Sequence, residues 1–335
     1  MDEIILQGIP KRTSLRYNRV CMKNLESSNR KESVRSTISG QGWGVGLALF
    51  VAQKLPHWLG YPLARAMGVL MGAFRGSGTY RSVRLNQWII SGKQLRGRDL
   101  ERTVRRVFAN QSIALYDYYR ALAHPEIARE KVQLSPAFSR LVEECKQEQQ
   151  GTLLLIAHLA GFNLGGLRLV QDGMRYLTLA NTETSPAYQW QNELRSRFGM
   201  EVMPFTIQAL GKARTRLQSG GPVLTGVDRP MENATDGPRF FGFPSALPVA
   251  YIRLALKTNA RVFVVGFTTL ADHSQWIDVS EEIHLEKDDS PQGLMRNAEK
   301  VLAEVEAFIR RDPFNWMMFF PVWPQELPAL EGKNR

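Results

Sequence analysis

Cysteine is scarce: Cys21 and Cys145 are the only two in 335 residues. Two cysteines without pair spacing make neither a disulfide framework nor a thiolate metal site, a usage that suits a reducing compartment. The five histidines, His57, His124, His158, His273 and His284, are scattered and form no ligand motif. No Walker A loop, GxGxxG turn, GxSxG elbow or HExxH pair occurs, so no metal and no cofactor is expected. An ordinary serine hydrolase is also disfavoured. No apolar run reaches the ~20 residues that a spanning helix needs. The N-terminus lacks the apolar stretch of a signal peptide, and no internal repeat is visible.

What is abundant is basic charge and a sharp shift in composition. The formal net charge is +11. Lys11, Arg12, Arg16, Arg19, Lys23, Arg30, Lys31 and Arg35 all precede the first apolar segment. Such charge suits anionic partners, namely phospholipid headgroups, an acidic carrier protein or nucleic acid. No basic repeat interleaved with aromatics, helix-turn-helix pattern or zinc-finger spacing accompanies it, so nucleic acid is not an expected partner. Residues 1–41 therefore read as a flexible basic leader. Residues 42–79 turn apolar, with Trp43, Leu47, Phe50, Trp58, Leu63, Met67, Leu70, Met71 and Phe74, interrupted by Pro56. Two short helices lying in a membrane interface or packing on the domain fit this pattern, and Trp43, Trp58 and Tyr61 favour the interface.

The remainder reads as an α/β domain over residues 80–325 with a tail at 326–335. Residues 98–150 read as helical: Ile113, Leu115, Tyr116, Tyr119 and Leu122 line one apolar face ending before Pro125, and a second helix runs from Pro136 to Gln149. Strands are expected near 153–157, 176–179, 223–227, 262–267 and 276–279, with helices near 187–198 and 294–310. In the last helix Leu294, Ala298, Val301, Leu302, Val305, Phe308 and Ile309 recur at helical spacing, and Pro313 follows its end. This alternation predicts an α/β fold with a mixed, mainly parallel sheet flanked by helices, preceded by an apolar N-terminal helical segment.

The most informative stretch is Gly151-Thr152-Leu153-Leu154-Leu155-Ile156-Ala157-His158, followed by a turn punctuated by Gly161, Gly165 and Gly166. Its continuous apolar run is that of a strand buried on both faces. An imidazole at the carboxyl end of such a strand is either a satisfied core histidine or a site residue, because open α/β sheets place their chemistry at that edge. Asp228 directly follows another strand-like run, Val223-Leu224-Thr225-Gly226-Val227, which puts it at the same edge as His158. An Asx turn before Pro230 or a surface ion pair is its plainer reading. Arg195 and Arg197 lie two apart and so point to different sides of a helix; a guanidinium fork suits phosphate.

Several blocks carry a resemblance in order: Arg84-Leu85-Asn86, Phe108-Ala109-Asn110, the His158 turn, Asn192 to Gly199, Gly220 to Pro230, Arg239 to Pro244 running on to Leu254–Val265, and Asp312-Pro313-Phe314-Asn315-Trp316. Over roughly residues 43–325 the chain resembles the bacterial lipid A biosynthesis acyltransferases, within the wider lysophospholipid acyltransferases. The resemblance implies a glycerolipid acyltransferase-like fold. It also implies an activity: a fatty acyl group moves from an acyl thioester (acyl-carrier protein or acyl-CoA) to a hydroxyl of a glycolipid or lysophospholipid, at the cytoplasmic face of the cell inner membrane, with peripheral or monotopic attachment. His158 would be the general base. The family pairs its histidine with an aspartate or glutamate after four residues, and here that position is Asn163. Asn163 would then be the ring-orienting catalytic partner of His158: its amide carbonyl can hold the ring tautomer but carries no charge, so Asp228 is the expected carboxylate to offset the missing charge. The resemblance further implies substrate-binding roles for Arg195, Asp228, Arg229 and Phe241, the last in a loop that borders the acyl-binding region. Asn163 keeps open a catalytically weak or inactive relative that binds lipid or serves envelope assembly, and a hydrolase using His158 is a more remote reading.

Overall fold

The computed structural model describes residues 52–180, 195–196, 199–231 and 237–332. The basic leader, the first apolar stretch at 42–51 and nearly all of the helix expected near 187–198 lie outside the described residues.

Strands β1 (Val132–Leu134), β2 (Thr152–Ile156), β3 (Leu177–Ala180), β4 (Glu201–Pro204), β5 (Pro222–Gly226), β8 (Arg261–Thr269) and β9 (Gln275–Val279) form one sheet. Their order is β1-β9-β8-β2-β5-β3-β4. Every neighbouring pair is parallel except β8 with β9. Two short strands, β6 (Arg239–Phe240) and β7 (Phe243–Pro244), make a separate antiparallel hairpin. The central β2 is buried along its whole length, as its unbroken apolar run requires.

Ten helices are described: α1 (His57–Met71), α2 (Gly78–Ile90), α3 (Gly97–Ala123), α4 (Glu126–Lys131), α5 (Pro136–Lys146), α6 (Phe162–Gln171), α7 (Ile207–Gln218), α8 (Ala250–Thr258), α9 (Pro291–Arg311) and α10 (Leu327–Gly332). Four of them start on side-chain caps, in which Ser77, Ser135, Thr206 and Ser290 accept backbone N–H groups of the first turn. Pro136 and Pro291 then occupy first-turn positions where no N–H is needed. α9 buries its whole apolar stripe, Leu294 through Ile309. The stretch 98–150 is not helical throughout: Val132–Leu134 pairs with Gln275–Ile277 of β9. Three residues carry too little periodicity to announce an edge strand whose partner lies over a hundred residues away.

α1 packs along α3 by way of glycines. A side chain at Gly68 would meet the Phe108 carbonyl oxygen at 2.5 Å, and one at Gly60 would meet the Tyr116 ring. Close backbone approach on this side leaves the opposite face of α1 open, with Trp58, Leu63, Met67, Leu70 and Met71 exposed. Among the described residues no helix is long and apolar enough to cross a membrane.

Candidate active site

The register of the parallel pair β2–β5 builds the site. Ile156 pairs with Gly226, so His158 and Asp228, each two residues further on, emerge side by side at the carboxyl edge of the sheet. His158 Nδ1 lies 2.6 Å from Asp228 Oδ1. Asp228 Oδ2 accepts two further bonds, from the His158 backbone N–H at 2.8 Å and from the Trp316 indole N–H at 2.7 Å. The carboxylate is fully buried. Burial pushes its pKa up, but the His158 charge, the ring hydrogen bond, the Trp316 bond and the His158 backbone bond together hold it below the ordinary aspartate value. It is thus an anion sealed from water against an imidazole.

The ring is held on its other sides as well. It lies over Gly226, where a Cβ would come within 2.8 Å of His158 Cε1, so a larger residue there would push the ring out of place. Phe162 meets the ring edge-on at 5.5 Å between centroids. The segment 315–317 pairs with the turn: Ala160 N–H donates to the Asn315 carbonyl and Met317 N–H to the His158 carbonyl, both at 2.7 Å. With Nδ1 committed to Asp228, Nε2 is the nitrogen available to a substrate. The side chain keeps 27% of its surface exposed.

That surface belongs to a cavity of about 970 Å³. Ile156, Leu169, Leu224, Val265 and Phe267 give it apolar walls, and His158, Asn163, Arg195 and Arg229 bring polar groups to the same space. Phe205, Met231 and Phe320 line it while also being exposed, and so form its rim. A large, mainly apolar cavity with a few convergent polar groups is the usual form of a small-molecule site.

The sequence-expected residues fall into three positions. His158 and Asp228 form the pair just described. Asn163 and Arg195 also reach the cavity, but Asn163 does not face the ring. Its Oδ1 accepts from Arg195 Nη2 at 2.7 Å, because Asp228 already occupies Nδ1. Arg229 lines the cavity with its guanidinium 3.9 Å above the Phe320 ring. Phe241 differs from expectation. It is buried with Phe240, Trp316 and Trp323, in the left-handed region at φ 50°, with its N–H donated to Glu306, and is not among the residues lining the cavity. Aromatic packing against two tryptophans takes this ring into the core. Neither the indole N–H of Trp316 as a carboxylate donor nor Gly226 as the seat of the ring is legible in the sequence alone. The only local signals were a tryptophan after a proline-ended helix and a glycine closing a strand. Among the described residues no group of three His, Cys, Asp or Glu side chains is placed to hold a metal ion.

The sequence profile described as bacterial lipid A biosynthesis acyltransferase matches residues 28–325 of this chain. A phosphatidylinositol mannoside acyltransferase of Mycolicibacterium smegmatis is 24% identical over 185 residues, which cover 53% of this chain and 58% of that protein. The chain thus spans a little over half the length of that curated relative.

Proposed function

The chain belongs to the bacterial lipid A biosynthesis acyltransferase family, and from that premise we propose that it transfers a fatty acyl group from an acyl thioester to a hydroxyl of a glycolipid or lysophospholipid. The observation that carries the proposal is the His158–Asp228 pair, 2.6 Å apart, opening onto an apolar cavity. In this reading His158 Nε2 accepts the proton of the acceptor hydroxyl as its oxygen attacks the thioester carbonyl. The resulting imidazolium returns that proton to the departing thiolate when the tetrahedral intermediate collapses. Asp228 holds the tautomer with Nδ1 protonated and stabilises the imidazolium, an effect strengthened by its burial. The donor is an acyl-carrier protein or acyl-CoA thioester. The apolar walls suit its alkyl chain, and Arg195 and Arg229 suit an anionic headgroup on the acceptor.

The inactive, lipid-binding alternative rests on Asn163. Its amide engages Arg195 and leaves the ring to a carboxylate, so nothing specific in the site favours that alternative. We place the protein, as part of the same proposal, at the cytoplasmic face of the inner membrane as a peripheral or monotopic protein. Support comes from the exposed apolar face of α1 and from Phe74 beyond its end, 69% exposed. Such rings and aliphatic chains suit the headgroup–acyl boundary.

The test is direct. Purified protein with a labelled acyl thioester and a panel of glycolipid and lysophospholipid acceptors should give a labelled ester product. A full panel without product, from folded protein, would refute the acyltransferase reading.

A further inference from the structure

Three sequence blocks supply no residue to the cavity lining: Arg84-Leu85-Asn86, Phe108-Ala109-Asn110 and Asp312 to Trp316. In the fold they meet. After α9 the chain runs from Asp312 to Trp323 as a strap with little regular structure, and amide side chains of α2 and α3 hold it in place. Asn86 donates to the carbonyls of Met318 and Phe320 at 3.0 and 2.8 Å, and its Oδ1 accepts from the Val322 N–H at 3.1 Å. Gln87 donates to the Pro313 carbonyl at 2.8 Å. Asn110 donates to the Phe314 carbonyl and to Asn315 Oδ1, at 3.3 and 2.9 Å. Asn86 is almost fully buried, and its bonds to Met318 and Val322 are made out of contact with water.

The strap's middle delivers Trp316. Its ring is 1% exposed and packs edge-on against Phe240 and Trp323, with centroids at 5.9 and 6.1 Å, while those two rings stack on each other, so the indole is held by both. Its N–H ends 2.7 Å from Asp228 Oδ2. A carboxylate can rotate about its terminal torsion. Two donors converging on Oδ2 remove that freedom and turn Oδ1 toward His158. His158 is the titratable side chain hydrogen-bonded to Asp228, and the guanidinium of the neighbouring Arg229 lies over the Phe320 ring.

We propose that Trp316 is a positioning residue of the dyad: its indole N–H fixes the Asp228 carboxylate in the rotation that presents Oδ1 to His158, and Asn86 and Asn110 hold the strap that brings it there. The role rests on the acyl-transfer reading of the His158–Asp228 pair. It does not require Trp316 to touch substrate.

The decisive variant is Trp316→Phe, which keeps an aromatic ring and removes the donor. A hydrogen bond to a charged group sets the scale, so kcat is expected to fall about ten- to a hundredfold with KM changed by less than about threefold. The Trp316 bond is one of those lowering Asp228, so its loss moves protonation of that carboxyl to higher pH. The acid limb of the pH–rate profile and the Asp228 carboxyl carbon resonance should both move upward. The resonance separates this inference from the reading beneath it. If the resonance moves and neither protein transfers acyl groups, the positioning role stands and the proposed function fails. If the resonance is unmoved in folded variant, or if kcat and pH profile are unchanged, the role is overturned. Should the variant not fold, the full wild-type chain supplies the measurement: the Trp316 indole N–H proton must shift as Asp228 is protonated, and a flat response overturns the inference.

Discussion

Asp228→Asn exposes the electrostatics of the site with the least change in shape. Oδ2 receives both the His158 backbone N–H and the Trp316 indole N–H, so the carbonyl oxygen of the new amide must take that position. Its NH2 group then occupies the place of Oδ1 and points at His158 Nδ1. Two donors cannot face each other, so Nδ1 gives up its proton and Nε2 takes one. The nitrogen that should accept the hydroxyl proton is then already protonated. The charge is also lost: two unit charges about 4 Å apart interact by about 4 kcal/mol at an effective dielectric near 20. Not all of that is specific to the transition state, but both effects act in one direction. An aspartate-to-asparagine change in the serine protease triad costs about 10⁴ in turnover, chiefly through the wrong tautomer. Thiol release from an acyl thioester in the presence of acceptor should therefore fall about 10³–10⁴-fold, with KM little changed. The buried hydrogen bonds to Oδ2 survive, so thermal unfolding should shift by only a few degrees. A folded variant that retains more than about a tenth of wild-type turnover would refute the dyad assignment.

Three other outcomes follow from particular contacts. Asn163→Asp places a carboxylate on the Arg195 guanidinium, so KM for an anionic acceptor should rise about tenfold while kcat holds, and steady-state kinetics showing the reverse would contradict the Asn163–Arg195 contact. Leu70→Asp combined with Phe74→Asp should lower partition onto anionic vesicles by at least about tenfold, since burying each such side chain is worth about 1.5–3 kcal/mol; both are largely exposed, so the melting temperature should hold, and unchanged sedimentation with vesicles would exclude this face as the membrane contact. Asp117 accepts from the Tyr61 hydroxyl at 2.9 Å, and burial, only partly offset by Lys131, that hydrogen bond and Arg120, raises its pKa from 3.8 to about 6. An acid raised in the folded state stabilises the protein below its unfolded value and loses that contribution as pH climbs to about 6, a change on the order of 3 kcal/mol. Asp117→Asn should flatten melting temperature against pH across this window, and an unaltered slope would assign the dependence elsewhere.

Much of the core was legible because its physics is local. β2 shows itself as five apolar residues in a row because both its faces are covered, and α9 because one stripe alone is buried. The strands β3, β5, β8 and β9 fall within a few residues of the expected runs. β4 and α7 went unread: Glu201–Pro204 is only half-buried, and α7 buries just Ala209, Ala213 and Leu217, so neither shows a strong pattern. At the site, the positions of His158 and Asp228 follow from two strand ends, but their contact depends on β2 and β5 being neighbours in register. Phe241 and Trp316 were harder still. Whether the Phe241 ring lines the cavity or packs beside it depends on the course of a strap more than seventy residues away in sequence, and Trp316 meets Asp228 only because that strap crosses the sheet edge; no local spacing encodes either.

The central claim, that His158 removes a proton from a lipid acceptor's hydroxyl, is tested most directly by thiol release from an acyl thioester, with and without acceptor, in wild-type protein and in His158→Gln. The account predicts acceptor-dependent release coupled to ester formation in the wild type, and a loss of about 10²–10⁴-fold in the variant with its fold intact. Equal release in both proteins, or release that ends as free fatty acid whether or not acceptor is present, would contradict it.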